Sequence, residues 1–141
     1  MHRILLIDDD KAVLEVTQAL LSMVGYKVTA TCNGNEGLSF VEEREFDLII
    51  TDLRMPDVSG IEIARMSKRK SSKTPVIVLS GYIADYPGSD PAKDGIHMML
   101  SKPFELQTLV MNIEALLSSK GSQTVCPEID STTSAFCCEQ R

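Results

Sequence analysis

Apolar and polar residues alternate along the chain in short blocks that predict strands and helices in turn. Residues 3–7 (RILLI) form a continuous apolar run bounded by charged residues, the pattern of a short strand buried on both faces. Val13, Val16, Leu20 and Val24 recur at helical spacing, and Gly25 follows as a stop. Residues 26–31 (YKVTAT) are β-branched and alternating, like a strand. Asn33 with Glu36 resembles a capping box, and Leu38, Val41 and Phe46 carry the next helix and its exit. Residues 47–51 (DLIIT) predict a third strand, and Ser59 with Glu62 a second capping box opening a helix through Lys70. Residues 75–79 (PVIVL) predict a fourth strand with Pro75 at its first position, and residues 96–100 (IHMML) a fifth. Pro103 suits a helix start. Leu106, Leu109, Val110, Ile113, Leu116 and Leu117 then give the clearest amphipathic pattern in the chain, ended by Lys120 and Gly121.

This alternation predicts an α/β fold, a doubly wound five-stranded parallel sheet with helices on both faces. Ligands of such sheets bind beyond the carboxyl ends of the strands, where the strand order reverses. The polar residues at those ends are Asp8, Asp9 and Asp10, then Asp52, Ser80, Ser101 and Lys102. Asp10 reads as an acid at a helix N-terminus, favoured by the helix dipole. One element breaks the pattern. The segment after the fourth strand reads ADYPGSDPAKDG, and proline inside a helix costs ~3 kcal/mol. The fourth helix is therefore expected to be short, displaced or missing.

Composition narrows the class. The chain has 141 residues, 43% hydrophobic and 24% charged, enough for one domain with a buried core. Its net charge of −6 argues against a nucleic-acid binder, and the one basic cluster, Lys68 to Lys70, falls where a helix should end. No apolar run approaches the roughly 20 residues that cross a bilayer, and MHRILLIDDD does not read as a signal peptide. A cytoplasmic protein with reduced thiols is expected. Cys32 reads as a small core residue, and Cys126, Cys137 and Cys138 match no zinc spacing. Residues 1–120 form the expected domain. Residues 121–141, polar and rich in Ser and Thr, read as a disordered tail too short for an effector domain.

Three carboxylates at one edge need a proton or a cation, because two charges about 4 Å apart repel by roughly 4 kcal/mol at an effective dielectric of 20. An all-oxygen set suits Mg²⁺. Lys102 adds a point charge for a phosphate oxygen, and Ser80 a hydroxyl donor. Around such groups Asp52 would act as a nucleophile that forms an acyl phosphate. His2 and His97 read as structural or solvated, with His97 inside the fifth strand rather than at its end.

The segments ILLIDDD, IITDLRMPDVSG, VIVLSGY and MLSKPF, in this order over residues 3–119, resemble the receiver domain of two-component response regulators. The resemblance implies a (βα)5 flavodoxin-like fold and a phosphoprotein of a phosphorelay. It implies that Asp52 takes a phosphoryl group from a phosphohistidine, and that Mg²⁺ is bound by Asp9, Asp52, the backbone carbonyl of Arg54 and, through water, Asp8. Ser80 and Lys102 would hold the phosphoryl group, Pro103 would follow a cis peptide bond, and Arg54 and Tyr82 would set the lifetime of the acyl phosphate. Implied partners are a sensor histidine kinase or histidine phosphotransfer protein and a downstream protein target. A homodimer is a further option, and direct contact with DNA or membrane is not expected. The chain departs from the family where an aromatic switch residue is usual: that position is Met99. Together with the broken fourth helix, this predicts an unusual output face. Two other readings are a receiver-like interaction module not regulated by phosphorylation and an aspartyl-nucleophile phosphatase. The second is weakened because Arg54 stands where such enzymes carry an acid. The same segments fit a single-domain regulator or the receiver portion of a larger regulator or hybrid kinase.

Overall fold

The computed structural model describes residues 2–81, 86, 87 and 90–118. The five apolar runs form strands β1 (Arg3–Ile7), β2 (Lys27–Thr31), β3 (Leu48–Asp52), β4 (Val76–Ser80) and β5 (Met98–Ser101). All pair in parallel, in the order β2-β1-β3-β4-β5. The chain steps outward from β1 to β2, then returns past β1 to β3, so the order reverses between β1 and β3. This is the flavodoxin-like arrangement, and the reversal opens a crevice at the carboxyl ends of those two strands.

Alternate residues of each strand face opposite sides. One face, with Ile4, Leu6, Leu48, Ile50, Ile77 and Leu79, packs against helices α1 (Lys11–Val24) and α4 (Leu106–Ser118) through Leu14, Leu21, Leu109, Ile113 and Leu117. The other, with Leu5, Ile7, Ile49, Val76 and Val78, packs against α2 (Gly34–Glu43) and α3 (Gly60–Lys70) through Val41, Ile63 and Ala64. Because helices cover both faces, β3 and β4 are buried throughout, which explains their unbroken apolar runs.

Helix ends follow the expected signals. Asp10 caps α1 by accepting from the backbone N–H groups of Ala12 and Val13. Gly25 ends α1. The Asn33 side chain accepts from Glu36 N–H at 2.9 Å, and Ser59 Oγ from Ile61 N–H at 3.0 Å. Lys68, Arg69 and Lys70 occupy the last turn of α3. Among the described residues between β4 and β5, the one helical element is a 3-10 turn, Pro91–Asp94. The prolines led to the expectation of a short, displaced or missing fourth helix, and this short turn agrees with it as far as the described residues go.

Several details differ from the sequence reading. Asp52 and Ser80 are the last residues of their strands, not the first beyond them. The fifth strand starts later, at Met98, because Ile96 N–H donates to Pro91 O and closes the 3-10 turn. His97 therefore precedes the strand, with Nδ1 accepting from Val76 N–H at 3.1 Å; burial first, and the charge of Lys68 with it, lower its pKa against a backbone hydrogen bond with Gly95. Pro103 does not start a helix. The chain runs on to Glu105, whose carbonyl accepts from Leu109 N–H, and α4 begins at Leu106. Cys32 is exposed rather than in the core, because β2 ends at Thr31 and leaves the thiol on the following loop. Tyr82, Lys120, Gly121 and residues 121–141 lie outside the described residues. Among the described residues, no helix is long and apolar enough to cross a membrane.

Candidate phosphoacceptor site

Hydrogen bonds that continue the sheet ladder past the strand ends fix the backbone of the crevice. Asp8 N–H donates to Thr31 O at 3.2 Å, Leu53 N–H to Leu79 O at 2.7 Å and Lys102 N–H to Ser80 O at 2.7 Å. The site side chains at the ends of β1, β3, β4 and β5 are thereby set on neighbouring rungs. One carboxylate oxygen from each of Asp8, Asp9 and Asp52 lies within 4.8 Å of the others. Lys102 reaches between two of them, its Nζ 3.0 Å from Asp8 Oδ2 and 3.1 Å from Asp52 Oδ1. Asp8 also accepts from Asp10 N–H at 2.9 Å through its other oxygen. An open cleft of about 510 Å³ above this group is lined by Asp9, Asp10, Asp52, Arg54, Ser80, Gly81 and Lys102.

Asp8, Asp52 and Ser80 are buried, while Asp9 faces the cleft exposed. Burial is the main reason that Asp52 is pushed up to about 7; the hydrogen bond with Asp9 and the charge of Asp8 act the same way, and Lys102 opposes them. Burial alone would lower the Lys102 ammonium, but Asp8 and Asp52 outweigh it and raise its pKa. One ammonium cannot neutralise three carboxylates, so the site retains a proton or attracts a further cation. Its donors are all oxygens, a set that fits a hard divalent cation such as Mg²⁺.

Glycine is required at residue 60. A Cβ there would lie 2.4 Å from the backbone oxygen of Asp52, so the start of α3 sits directly against the Asp52 peptide. Gly60 N–H donates to Leu53 O at 2.8 Å and closes the loop.

The structure thus brings together Asp8, Asp9, Asp52, Ser80 and Lys102, with Arg54 at the rim. The Lys102–Pro103 peptide is cis, as expected. Met99 lies elsewhere, half-buried against the core between the sheet, α2 and α3. The sequence reading missed Asp57. Its Oδ2 accepts from the backbone N–H and the Nδ2 of Asn35, at 3.1 and 3.2 Å, across 22 positions of sequence. Nothing in the spacing of the two residues signals that contact.

A parallel sheet of this order, with an acid cluster and a lysine at its crevice, defines a phosphoacceptor class of α/β domain. Residues 4–114 match the response regulator receiver domain family. The response regulator receiver protein CpdR of Brucella abortus (strain 2308) is 36% identical over 119 residues, covering 83% of this chain and 98% of CpdR. The uncharacterized transcriptional regulatory protein YkoG of Bacillus subtilis (strain 168) is 34% identical over 122 residues, 86% of this chain. The chain spans about half of YkoG's length, 53%. The solved response regulator TrrA of Thermotoga maritima, in complex with Mg²⁺ and BeF, is similar at TM-score 0.73 and 28% identity, over 82% of this chain and 99% of that one. The chain belongs to the response regulator receiver domain family. Receiver domains are signalling domains that bind Mg²⁺ at an acidic site and work with histidine kinases and downstream targets.

Proposed function

We propose that Asp52 takes a phosphoryl group from a phosphohistidine of a sensor kinase or histidine phosphotransfer protein. The observation that carries this reading is the single ammonium of Lys102 set between Asp8 and Asp52 beneath an open cleft. Asp9, Asp52 and the backbone carbonyl of Arg54 would hold Mg²⁺, with Asp8 acting through water. When bound, the metal offsets the negative charge of the carboxylates and the incoming phosphoryl oxygens.

Asp52 acts as its carboxylate. Its oxygen forms the new bond to phosphorus as the P–N bond to the donor imidazole breaks, and the imidazole takes a proton from solvent. Lys102 leaves its pairing with Asp52 and meets a phosphoryl oxygen instead, so no charge is stranded. Ser80, held by the bond from Lys102 N–H to its own carbonyl, offers a hydroxyl to another oxygen. Arg54, at the rim of the cleft, shields the acyl phosphate from water, and Tyr82 is the second residue assigned to set its lifetime. Phosphorylation is read by a protein target, through a face where Met99 takes the place of an aromatic switch and where the described residues before β5 form a 3-10 turn. The net charge of −6 supports a protein target over nucleic acid. The receiver unit is residues 1–120, with 121–141 as a tail, and it acts in the cytoplasm as a phosphoacceptor rather than a turnover enzyme.

Incubation with acetyl phosphate and Mg²⁺, or with a phosphohistidine donor, should add one labile phosphoryl group by mass spectrometry. Asp52→Asn should abolish it. No gain from either donor would favour an interaction module, and sustained hydrolysis of phosphoesters would favour a phosphatase.

A further inference from the structure

The loop between β3 and α3, residues 53–59, carries Arg54 and is fixed at both ends by bonds already described, from Leu53 to Leu79 and from Gly60 to Leu53. Its middle rests on a different element. Asp57 Oδ2 takes the Asn35 backbone N–H and the Asn35 amide, while Oδ1 takes Val58 N–H at 2.9 Å. These bonds hold the exposed carboxyl below the usual carboxylate range, the Asn35 backbone N–H contributing most. The fit is close. A Cβ at Gly34 would lie 2.8 Å from Asp57 Oδ1 and 2.9 Å from Val58 Cβ, so the loop lies on the first turn of α2 with no room for a side chain between them.

As a helix cap alone, Asp57 would be partly redundant, because Asn33 already accepts from Glu36 N–H in the same turn. What Asp57 adds is a long-range tie. The first turn of α2 is itself bound to the end of β2: Thr31 Oγ donates to the Glu36 carboxylate, and Asn33 N–H donates to Thr31 Oγ at 3.1 Å. Thr31 O in turn accepts from Asp8 N–H. A continuous run of hydrogen bonds thus links the loop bearing Arg54, through Asp57, α2 and Thr31, to the backbone of Asp8. It joins the two sides of the acidic site by a second route, beside the direct pairing of β1 with β3 at Ile7 and Thr51.

We propose that Asp57 is a positioning residue that docks the β3–α3 loop on α2 and so holds the Arg54 backbone at the distance from Asp8 and Asp9 that Mg²⁺ binding requires. The inference rests on the metal reading above. Groups that orient metal ligands typically contribute 10–100-fold to affinity.

The test measures Mg²⁺ affinity by calorimetry, and hydrogen exchange of residues 53–59 without metal, on the full chain and its variants. Asp57→Ala should weaken Mg²⁺ binding about tenfold and speed exchange across the loop. Asp57→Asn, whose amide oxygen still accepts from Asn35, should restore most of both. Asn33→Ala should lower the melting temperature through the lost cap yet change Mg²⁺ affinity less than about twofold. The proposal is overturned if Asp57→Ala binds Mg²⁺ like wild type, or if Asn33→Ala weakens binding as much as Asp57→Ala. Should Asp57→Ala not fold, Asn35→Ala, which removes the Nδ2 donor alone, must still weaken binding while Asn33→Ala does not. A wild-type chain that binds no Mg²⁺ overturns the metal reading itself; unchanged loop exchange in Asp57→Ala overturns the docking role alone.

Discussion

Neutralising Asp52 should stabilise the metal-free fold. Its environment moves the carboxyl from 3.8 to about 7. A shift of that size corresponds to about 4 kcal/mol of preference for the neutral form at most. The cleft is open to water and Lys102 already lies alongside, so the usable part is ~1–2 kcal/mol. The folded state binds this proton more tightly than the unfolded chain does. Stability from this group is therefore fully present below about pH 4 and is lost as pH rises through about 7. Asp52→Asn removes the charge and with it the loss. At about pH 8 with excess EDTA, the variant should melt ~3–8 °C above wild type by circular dichroism, at the few degrees per kcal/mol usual for a domain of this size. The gap should close towards about pH 4, where the wild-type carboxyl is itself protonated. Millimolar Mg²⁺ should raise the wild-type melting temperature and leave the variant less affected, because the cation binds the folded carboxylates. A variant that melts at or below wild type in EDTA at the higher pH would show that the acid cluster is not under electrostatic strain, and the argument for a cation would lose its physical basis.

Two other substitutions probe the same site. Lys102→Met leaves Asp8 and Asp52 without their shared ammonium; discounting the 3–5 kcal/mol of a fully buried pair, it should cost ~1–2 kcal/mol in urea unfolding without metal and slow acetyl phosphate uptake. A variant as stable as wild type would mean that the two acids do not need the lysine. Gly60→Ala puts a methyl group 2.4 Å from the Asp52 backbone oxygen, so it should cost ~1–3 kcal/mol and shift the Asp52 amide resonance, whereas a silent substitution would contradict the close packing of α3 on the Asp52 peptide.

Most of the site was legible because a parallel sheet converts position along the chain into position in space. Once β1, β3, β4 and β5 were recognised, Asp8, Asp9, Asp52, Ser80 and Lys102 had to meet at one edge, however far apart in sequence. The central strands were the easiest to read, since burial on both faces leaves an uninterrupted apolar run. The edge strand β5 is only partly buried, so its start blurred into Ile96 and His97, which belong to the turn before it. Cys32 was misplaced for a related reason, as an apolar residue just past the end of an edge strand carries no mark of where the ladder stops. Contacts between elements on one face were not legible at all. Asp57 with Asn35, Lys70 donating to the carbonyls of Val41, Glu42 and Arg44, and Arg65 with Asp94 all depend on how α2, α3 and the 3-10 turn lie against each other. No periodicity encodes that.

Among the described residues between β4 and β5, the 3-10 turn Pro91–Asp94 is held by side chains of its own and of α3. Tyr86 donates its hydroxyl to Asp94 Oδ2, and Arg65 Nε of α3 donates to Asp94 Oδ1 at 2.9 Å. Lys68 Nζ reaches Lys93 O at 3.0 Å. Asp94 is held below the usual carboxylate range, by the Tyr86 hydroxyl first and Arg65 next. Arg65 is 57% exposed, so its ion pair contributes ~0–1 kcal/mol; Ile96 and the ring of Tyr86, packed on the α3 side of the core, supply the rest. Both polar partners act through one carboxylate, which makes a double-mutant cycle decisive. Tyr86→Phe and Arg65→Ala should each cost under about 1 kcal/mol in urea unfolding, and the two should not add, because either loss frees Asp94 to turn towards water. Asp94→Ala should then cost about as much as the double variant. Additive losses would mean that Tyr86 and Arg65 hold the segment independently. The clamp through Asp94 would then be two unrelated contacts, and the turn would owe its position to the apolar packing of Ile96 and Tyr86 alone.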